Sequence, residues 1–203
     1  MSNLWFIGDL HWGHKSVTKW RPFSTEEEHR NTLLTNLLSV VRKRDTLWIL
    51  GDSVFSWAPE VKDTFMELRG TCDNIRLTIG NHCGEHMSPT DRREFLGLFD
   101  DIYGLHKKYG CWLSHGPIHP AELRGKWCVH GHVHQNTVQV DIPVYSMDHW
   151  VQDNTIDDPR YFNMSVENHN YFPRDLKWLR GEMEERRVTL GKYDLTLDNG
   201  GHQ

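Results

Sequence analysis

Five short apolar runs in this chain break off at a cluster of glycine and metal-seeking or titratable residues. Residues 3–8 run into Gly8-Asp9-Leu10-His11, residues 46–50 into Gly51-Asp52, and residues 75–79 into Gly80-Asn81-His82. Residues 110–114 run into His115-Gly116, and residues 126–130 into Gly131-His132-Val133-His134. Each run has the length and apolarity of a buried strand. In open α/β sheets, ligands settle just beyond the carboxyl ends of the strands. A fold that aligns these five ends therefore gathers two carboxylates, an amide and several imidazoles from distant parts of the chain.

The intervening sequence supports such a fold. Ser24-Thr25-Glu26-Glu27 reads as a helix start, with Ser24 as the cap and Glu27 completing a capping box. Leu33, Leu34, Leu37, Leu38 and Val41 follow at helical spacing, which predicts a helix to about Arg42. Pro59 suits the first turn of a second helix that Gly70 closes. Further strands are expected at 101–106 and 161–166, and a helix from Pro173 to about Arg187. Residues 135–160 are polar, contain Pro143 and Pro159, and read as a long loop or insertion. The expected organisation is one α/β domain over 1–187, with 188–203 a C-terminal tail that pairs as an edge strand over 188–197. Strand–helix alternation followed by a strand-rich half fits an α/β sandwich.

Composition narrows the function classes. A chain of 203 residues buries roughly 70% of its unfolded surface and needs no disulfide staples. Cys72, Cys83, Cys111 and Cys128 form no CxxC pair, which favours reduced thiols in a cytoplasmic protein. Residues 1–7 lack the features of a signal peptide, and no apolar run is long enough for a membrane span. A net charge of −5 argues against a broad basic face that grips long nucleic acid. A small anionic substrate remains compatible, because bound cations supply local positive charge.

Fourteen histidines are the informative excess. His29, His106, His149, His169 and His202 read as ordinary surface histidines. Taken singly, Asp9 and Asp52 read as turn residues and His115 as a loop histidine. Gly131-His132-Val133-His134 is the strongest single piece, because two imidazoles at i and i+2 past a strand suit chelation. Together the clusters offer carboxylate, imidazole and amide, with no thiolate. That set suits Mn²⁺ foremost, with Fe²⁺, Ni²⁺, Zn²⁺ or Mg²⁺ as alternatives. It exceeds what one tetrahedral ion needs and matches a pair sharing a carboxylate; two-metal sites characteristically attack phosphoesters. Trp12 and Trp57 read foremost as packing residues, with stacking on a base as the alternative.

The ordered motifs Asp9-x-His11, Gly51-Asp52, Gly80-Asn81-His82, His115 and Gly131-His132-x-His134 resemble those of calcineurin-like metallophosphoesterases. The likeness spans residues 4 to about 180, includes Arg21-Pro22-Phe23, and is nearest to short, single-domain bacterial and phage members. It implies a four-layer α/β/β/α sandwich of two mixed sheets flanked by helices. It also implies that Asp9, His11 and His134 hold one ion, that Asn81, His115 and His132 hold the second, and that Asp52 bridges them. The position of His82 would face the substrate, which makes it the candidate proton donor, with ordering of the turn as the alternative; His14, three residues past a ligand in the same loop, and Arg21 are the candidates for phosphate contact, with a structural role as the alternative. The implied activity is hydrolysis of a small phosphodiester, nucleotide-like, by a metal-bridging hydroxide. A phosphomonoesterase or a non-catalytic scaffold of the same fold are the alternatives, and the retained histidines argue against the scaffold. Cys83 stands where the family usually carries an acid that orients the histidine before it. Two alternatives follow for the acid role of His82: it is less often protonated here, or another acid such as Glu85 serves.

Overall fold

The computed structural model describes residues 2–145 and 150–195. The chain opens with β1 (Leu4–Ile7), then α1 (Glu26–Val40), β2 (Thr46–Leu50), α2 (Pro59–Thr71), β3 (Asn74–Thr78) and α3 (Pro89–Leu96). It continues with β4 (Asp101–Tyr103), β5 (Leu105–Lys108), β6 (Cys111–Ser114), β7 (Trp127–His130), β8 (Gln139–Tyr145) and β9 (Trp150–Asp157). It ends with β10 (Tyr161–Asn163), β11 (Arg174–Asp175) and α4 (Leu176–Lys192). Two mixed sheets flanked by helices result. The first has the order β11-β1-β2-β3-β4, parallel except for β11. The second has the order β10-β7-β6-β5, parallel except for β5.

The side-chain alternation of a strand divides the apolar residues between two cores. Ile7, Leu47, Ile49, Ile75 and Leu77 face Leu33 and Leu37 of α1, Phe65 of α2 and Phe95 of α3. Phe6, Trp48 and Leu50 face the other way and pack with Leu113, Val129 and Phe162 of the second sheet, joined by Leu179 and Met183 of α4. Both faces of the first sheet are therefore buried, as its nearly unbroken apolar strands require. The far face of the second sheet, Cys128 and Tyr161, is covered by Ile118, Leu123 and Val138 from loops. No helix among the described residues is long and apolar enough to cross a membrane.

Several local expectations need correction. The cap of α1 is Thr25, whose side chain accepts from the Glu28 amide, while Glu28 accepts from the Ser24 amide. The box is shifted by one residue from the Ser24–Glu27 reading. Of the two readings of residues 135–160, loop or insertion, the long loop is replaced by a ribbon in which β8 and β9 pair antiparallel, with Gln139 opposite Asp157. The ribbon belongs to neither main sheet. Residues 188–192 lie in α4, so the edge strand expected over 188–197 gives way to helix there; 196–203 lie outside the described residues.

Candidate metal centre

The carboxyl ends of β1, β2 and β3 in one sheet and of β6, β7 and β10 in the other carry the polar clusters. The loops after β1 and β2 are zipped together by backbone bonds from Asp9 N to Gly51 O at 3.2 Å and from His11 N to Asp52 O at 2.8 Å. Across the sheets, Asp9 Oδ2 accepts from the His132 amide at 2.9 Å and from Ser165 Oγ at 2.7 Å. Asp52 Oδ1 accepts from the His82 amide at 2.8 Å. The backbone is unusual here: Asp9, His11, Asp52, His132 and His134 all have φ between 42° and 75°. Left-handed geometry costs about 1–3 kcal/mol per non-glycine residue and collects where function demands it.

Glycine makes the convergence possible. A Cβ built on Gly80 would overlap Asp52 Oδ1, and one on Gly131 would overlap Asp9 Oδ2. In each case the glycine before a late motif leaves room for the carboxylate of an early one.

Seven expected ligands come together as two groups. Asp9, His11 and His134 offer atoms that all lie within 4.8 Å of one another, and so do Asp52, His115 and His132. Asn81 Oδ1 is 2.9 Å from His115 Nε2, which adds the amide to the second group. Asp52 Oδ2 stands between the groups, 3.2 Å from His115 Nε2 and 3.8 Å from His11 Nε2.

The donor set fits divalent cations. Both ring nitrogens of His11 are buried without a hydrogen-bond partner among the described residues. Burial, with Arg21 nearby, pushes its pKa down to about 3, so the ring is neutral and carries a free lone pair. His115 Nδ1 is 3.1 Å from Leu50 O and donates to it, which turns Nε2 toward Asp52 Oδ2, Asn81 Oδ1 and His132 Nδ1 at 3.1 Å. A positive charge shared among these atoms would offset the cost of burying them together. Without a metal a proton serves: burial opposes charging of His115, but the Asp52 hydrogen bond and charge prevail and raise its pKa. Burial raises the pKa of Asp9.

Residues around the ligands differ in role from the sequence expectations. Arg21 is 3% exposed and does not face solvent. It donates to the carbonyls of Asp9 at 2.7 Å and Leu10 at 3.2 Å, to His29 Nε2 at 2.8 Å, and to Glu167 Oε1. The expected phosphate contact is replaced by a clamp on the loop that carries Asp9 and His11. Glu167 Oε1 also meets His134 Nδ1 at 2.9 Å, which leaves His134 Nε2 free for an ion. Ser165 and Glu167 follow β10, so the same rule of polar residues past a strand end would have found them.

His14 packs on Phe55 with ring centroids 4.0 Å apart and lies 5.9 Å from the His11 ring. Burial lowers its pKa. His82 is half-exposed at the rim, and its Nδ1 pairs with Glu85 Oε2. Glu85, three residues on, is the carboxylate that meets His82. Cys83 turns inward: its sulfur accepts from the Gly80 amide at 3.3 Å, and burial raises the thiol pKa. Trp12 is fully buried, and Trp57 packs on Phe95 at 5.4 Å. His29 and His169 are buried rather than at the surface, His106 is half-buried, and His149 and His202 lie outside the described residues.

The chain is similar to several known proteins. A family model described as calcineurin-like phosphoesterase matches residues 2–203. The gene 66 protein of Mycobacterium phage L5 is 33% identical over 165 residues, covering 66% of this chain and 78% of its own. A Methanocaldococcus jannaschii protein, MJ1445, is 29% identical over 200 residues, covering 96% and 99%. The crystal structure of AQ665 from Aquifex aeolicus, a protein of unknown function, superposes with a TM-score of 0.60 at 22% identity, covering 89% of this chain and 99% of that one. That last likeness is one of fold.

Proposed function

Because the chain belongs to the calcineurin-like phosphoesterase family, we propose that it hydrolyses a small phosphodiester, nucleotide-like, at a dinuclear centre. Asp9, His11 and His134 hold one divalent ion, Asn81, His115 and His132 hold the other, and Asp52 joins them. The observation that carries this reading is Asp52 Oδ2, a single carboxylate oxygen within 4 Å of an imidazole nitrogen from each group. The oxygen- and nitrogen-only donor set supports Mn²⁺ as the resident ion. Such ions, when bound, supply Lewis acidity toward a phosphoryl oxygen and acidify water.

The chain's own residues do the rest. His115 and His134 are fixed by Leu50 O and Glu167 respectively, so each presents one nitrogen without rearrangement. His82 is tied through its amide to Asp52 and through Nδ1 to Glu85. Its Nε2 is then the atom that passes a proton to the departing oxygen. All four cysteines are free thiols, which supports cytoplasmic placement.

The test is a panel of p-nitrophenyl mono- and diesters, cyclic nucleotides and dinucleotides, assayed with Mn²⁺, Ni²⁺, Mg²⁺ and Zn²⁺, with metal content measured alongside. Diesters should turn over fastest with two ions per chain. Asp52→Asn should lose turnover on every substrate. Undiminished activity in that variant would remove the shared position of Asp52.

A further inference from the structure

A cleft of about 300 Å³ opens beside the metal centre and shares His134 with it; Trp20, Gln135, Asn136 and Glu167 complete its lining. We infer that this cleft seats the nucleoside of the substrate, with the base against Trp20 and polar edges toward Gln135 and Asn136. The inference rests on the phosphodiesterase reading above and specifies its substrate.

Trp20 is 47% exposed although it is the bulkiest apolar side chain available. A single exposed apolar residue needs no explanation; its location and support do. Trp20 follows a 3₁₀ turn at Lys15–Lys19, and its amide donates to Val17 O at 3.2 Å. Its ring stands edge-on to His14 at 5.0 Å, and His14 lies on Phe55, which packs on His86 at 4.5 Å. The indole is thus one end of a row of rings that runs past the ligand His11. A half-exposed aromatic face in the same cleft as His134 suits a flat ring.

The polar lining selects among flat rings. Gln135 and Asn136 are exposed, and each amide offers two donors and an acceptor, the complement of a base edge. Glu167 is buried, yet its Oε2 has no hydrogen-bond partner among the described residues. That oxygen is out of solvent contact, so Glu167 serves as a wall of the cleft, and the exposed amides of Gln135 and Asn136 supply its polar contacts. Among the described residues no Lys or Arg lines the cleft, so it does not suit a second phosphate. Its size lies at the small end of ligand pockets and suits one nucleoside rather than a polynucleotide.

Two readouts test this on the Mn²⁺-loaded protein. The first compares thymidine 5′-(p-nitrophenyl phosphate) with methyl p-nitrophenyl phosphate, which break the same bond. Trp20→Ala should lower kcat/KM for the nucleoside ester about tenfold more than for the methyl ester, through KM, and Trp20→Phe should restore most of the difference. Equal losses on both esters would overturn the inference. The second compares adenosine 5′-monophosphate with inorganic phosphate by calorimetry. The wild type should favour the nucleotide, and Trp20→Ala should lose about tenfold of that preference. Preferential binding without turnover of any ester would sink the hydrolase reading and uphold the cleft. Turnover without any nucleoside preference in either readout would do the reverse.

Discussion

Arg21 Nη2 donates to Glu167 Oε1 at 2.7 Å, joining two side chains 146 positions apart that are both out of contact with solvent. Through that one oxygen Glu167 also holds His134, while Arg21 holds the carbonyls of Asp9 and Leu10. The three ligands of one proposed ion are thereby braced from behind by a single ion pair. Asp9 and His11 belong to the loop after β1, and His134 to the loop after β7, so the pair also ties the two sheets together at the site.

Arg21→Ala is therefore expected to act on stability rather than on substrate affinity. It strands the Glu167 carboxylate in the interior, which costs about 3–5 kcal/mol when one member of a buried pair is removed. Urea unfolding of the metal-free protein should show that loss. A variant with unchanged stability and a raised KM would return Arg21 to the phosphate-binding role expected from sequence.

The same pair gives the metal-free protein an acid-sensitive element. Burial raises the Glu167 pKa, but the His134 hydrogen bond and the Arg21 charge outweigh it and bring it from 4.5 down to about 2. A depressed carboxyl stabilises the fold fully above its unfolded value and loses that contribution as pH falls through the folded value. The window is thus pH 4.5 to about 2, and the full contribution is about 3 kcal/mol. Asp9, whose pKa burial raises, works in the opposite sense. The measurement is therefore the stability difference between wild type and Glu167→Gln, by urea unfolding after chelation. It should be large at pH 6 and shrink steadily below pH 4.5. A difference that stays constant down to pH 2.5 would refute the ionised pair.

The site was legible in the sequence wherever a residue's role follows from its place after a strand. Asp9, Asp52, Asn81, His115, His132 and His134 all sit there, and strand ends can be read from apolar runs alone. Arg21 and His29 were not legible, because nothing near them signals burial. A guanidinium is buried only when a partner meets it, and Glu167 arrives from the far end of the chain. The β8–β9 ribbon escaped for a different reason. Val140, Ile142 and Val144 do alternate with polar residues, but Pro143 and the polar run Gln152-Asp153-Asn154 interrupt the pattern, so the segment reads as a loop although its backbone pairs. The left-handed backbone of Asp9, His11 and His132 has no sequence mark at all, since non-glycine residues adopt it only under tertiary constraint.

Gly131→Ala should separate the site from the fold. The added methyl overlaps Asp9 Oδ2 and comes within 2.9 Å of the Leu50 carbonyl, so Asp9 must move. We expect Mn²⁺ affinity to fall by at least about tenfold, in line with other disturbances just outside a ligand sphere, with circular dichroism unchanged. Gly110→Ala is the control: its φ of 82° strains an alanine, but open space surrounds it. It should cost about 1 kcal/mol of stability and leave metal binding intact. Equal metal affinity in the two variants would contradict the packing of Gly131 against Asp9.

His82 and Glu85 should differ by leaving group. His82 is anchored by its amide and by Glu85, and it is absent from both ligand groups, so its loss should spare metal content. If it donates a proton to the departing oxygen, His82→Ala should slow a dinucleotide or other alkoxide-releasing diester by about 10²-fold. A p-nitrophenyl ester departs without a proton and should be slowed far less. Glu85→Gln leaves the imidazole in place but weakens its orientation, so its effect should follow the same leaving-group order at smaller size. Steady-state rates for the two ester types, with metal content measured on each variant, decide the matter. Equal slowing of both esters by His82→Ala would assign His82 to binding or loop order instead of proton transfer.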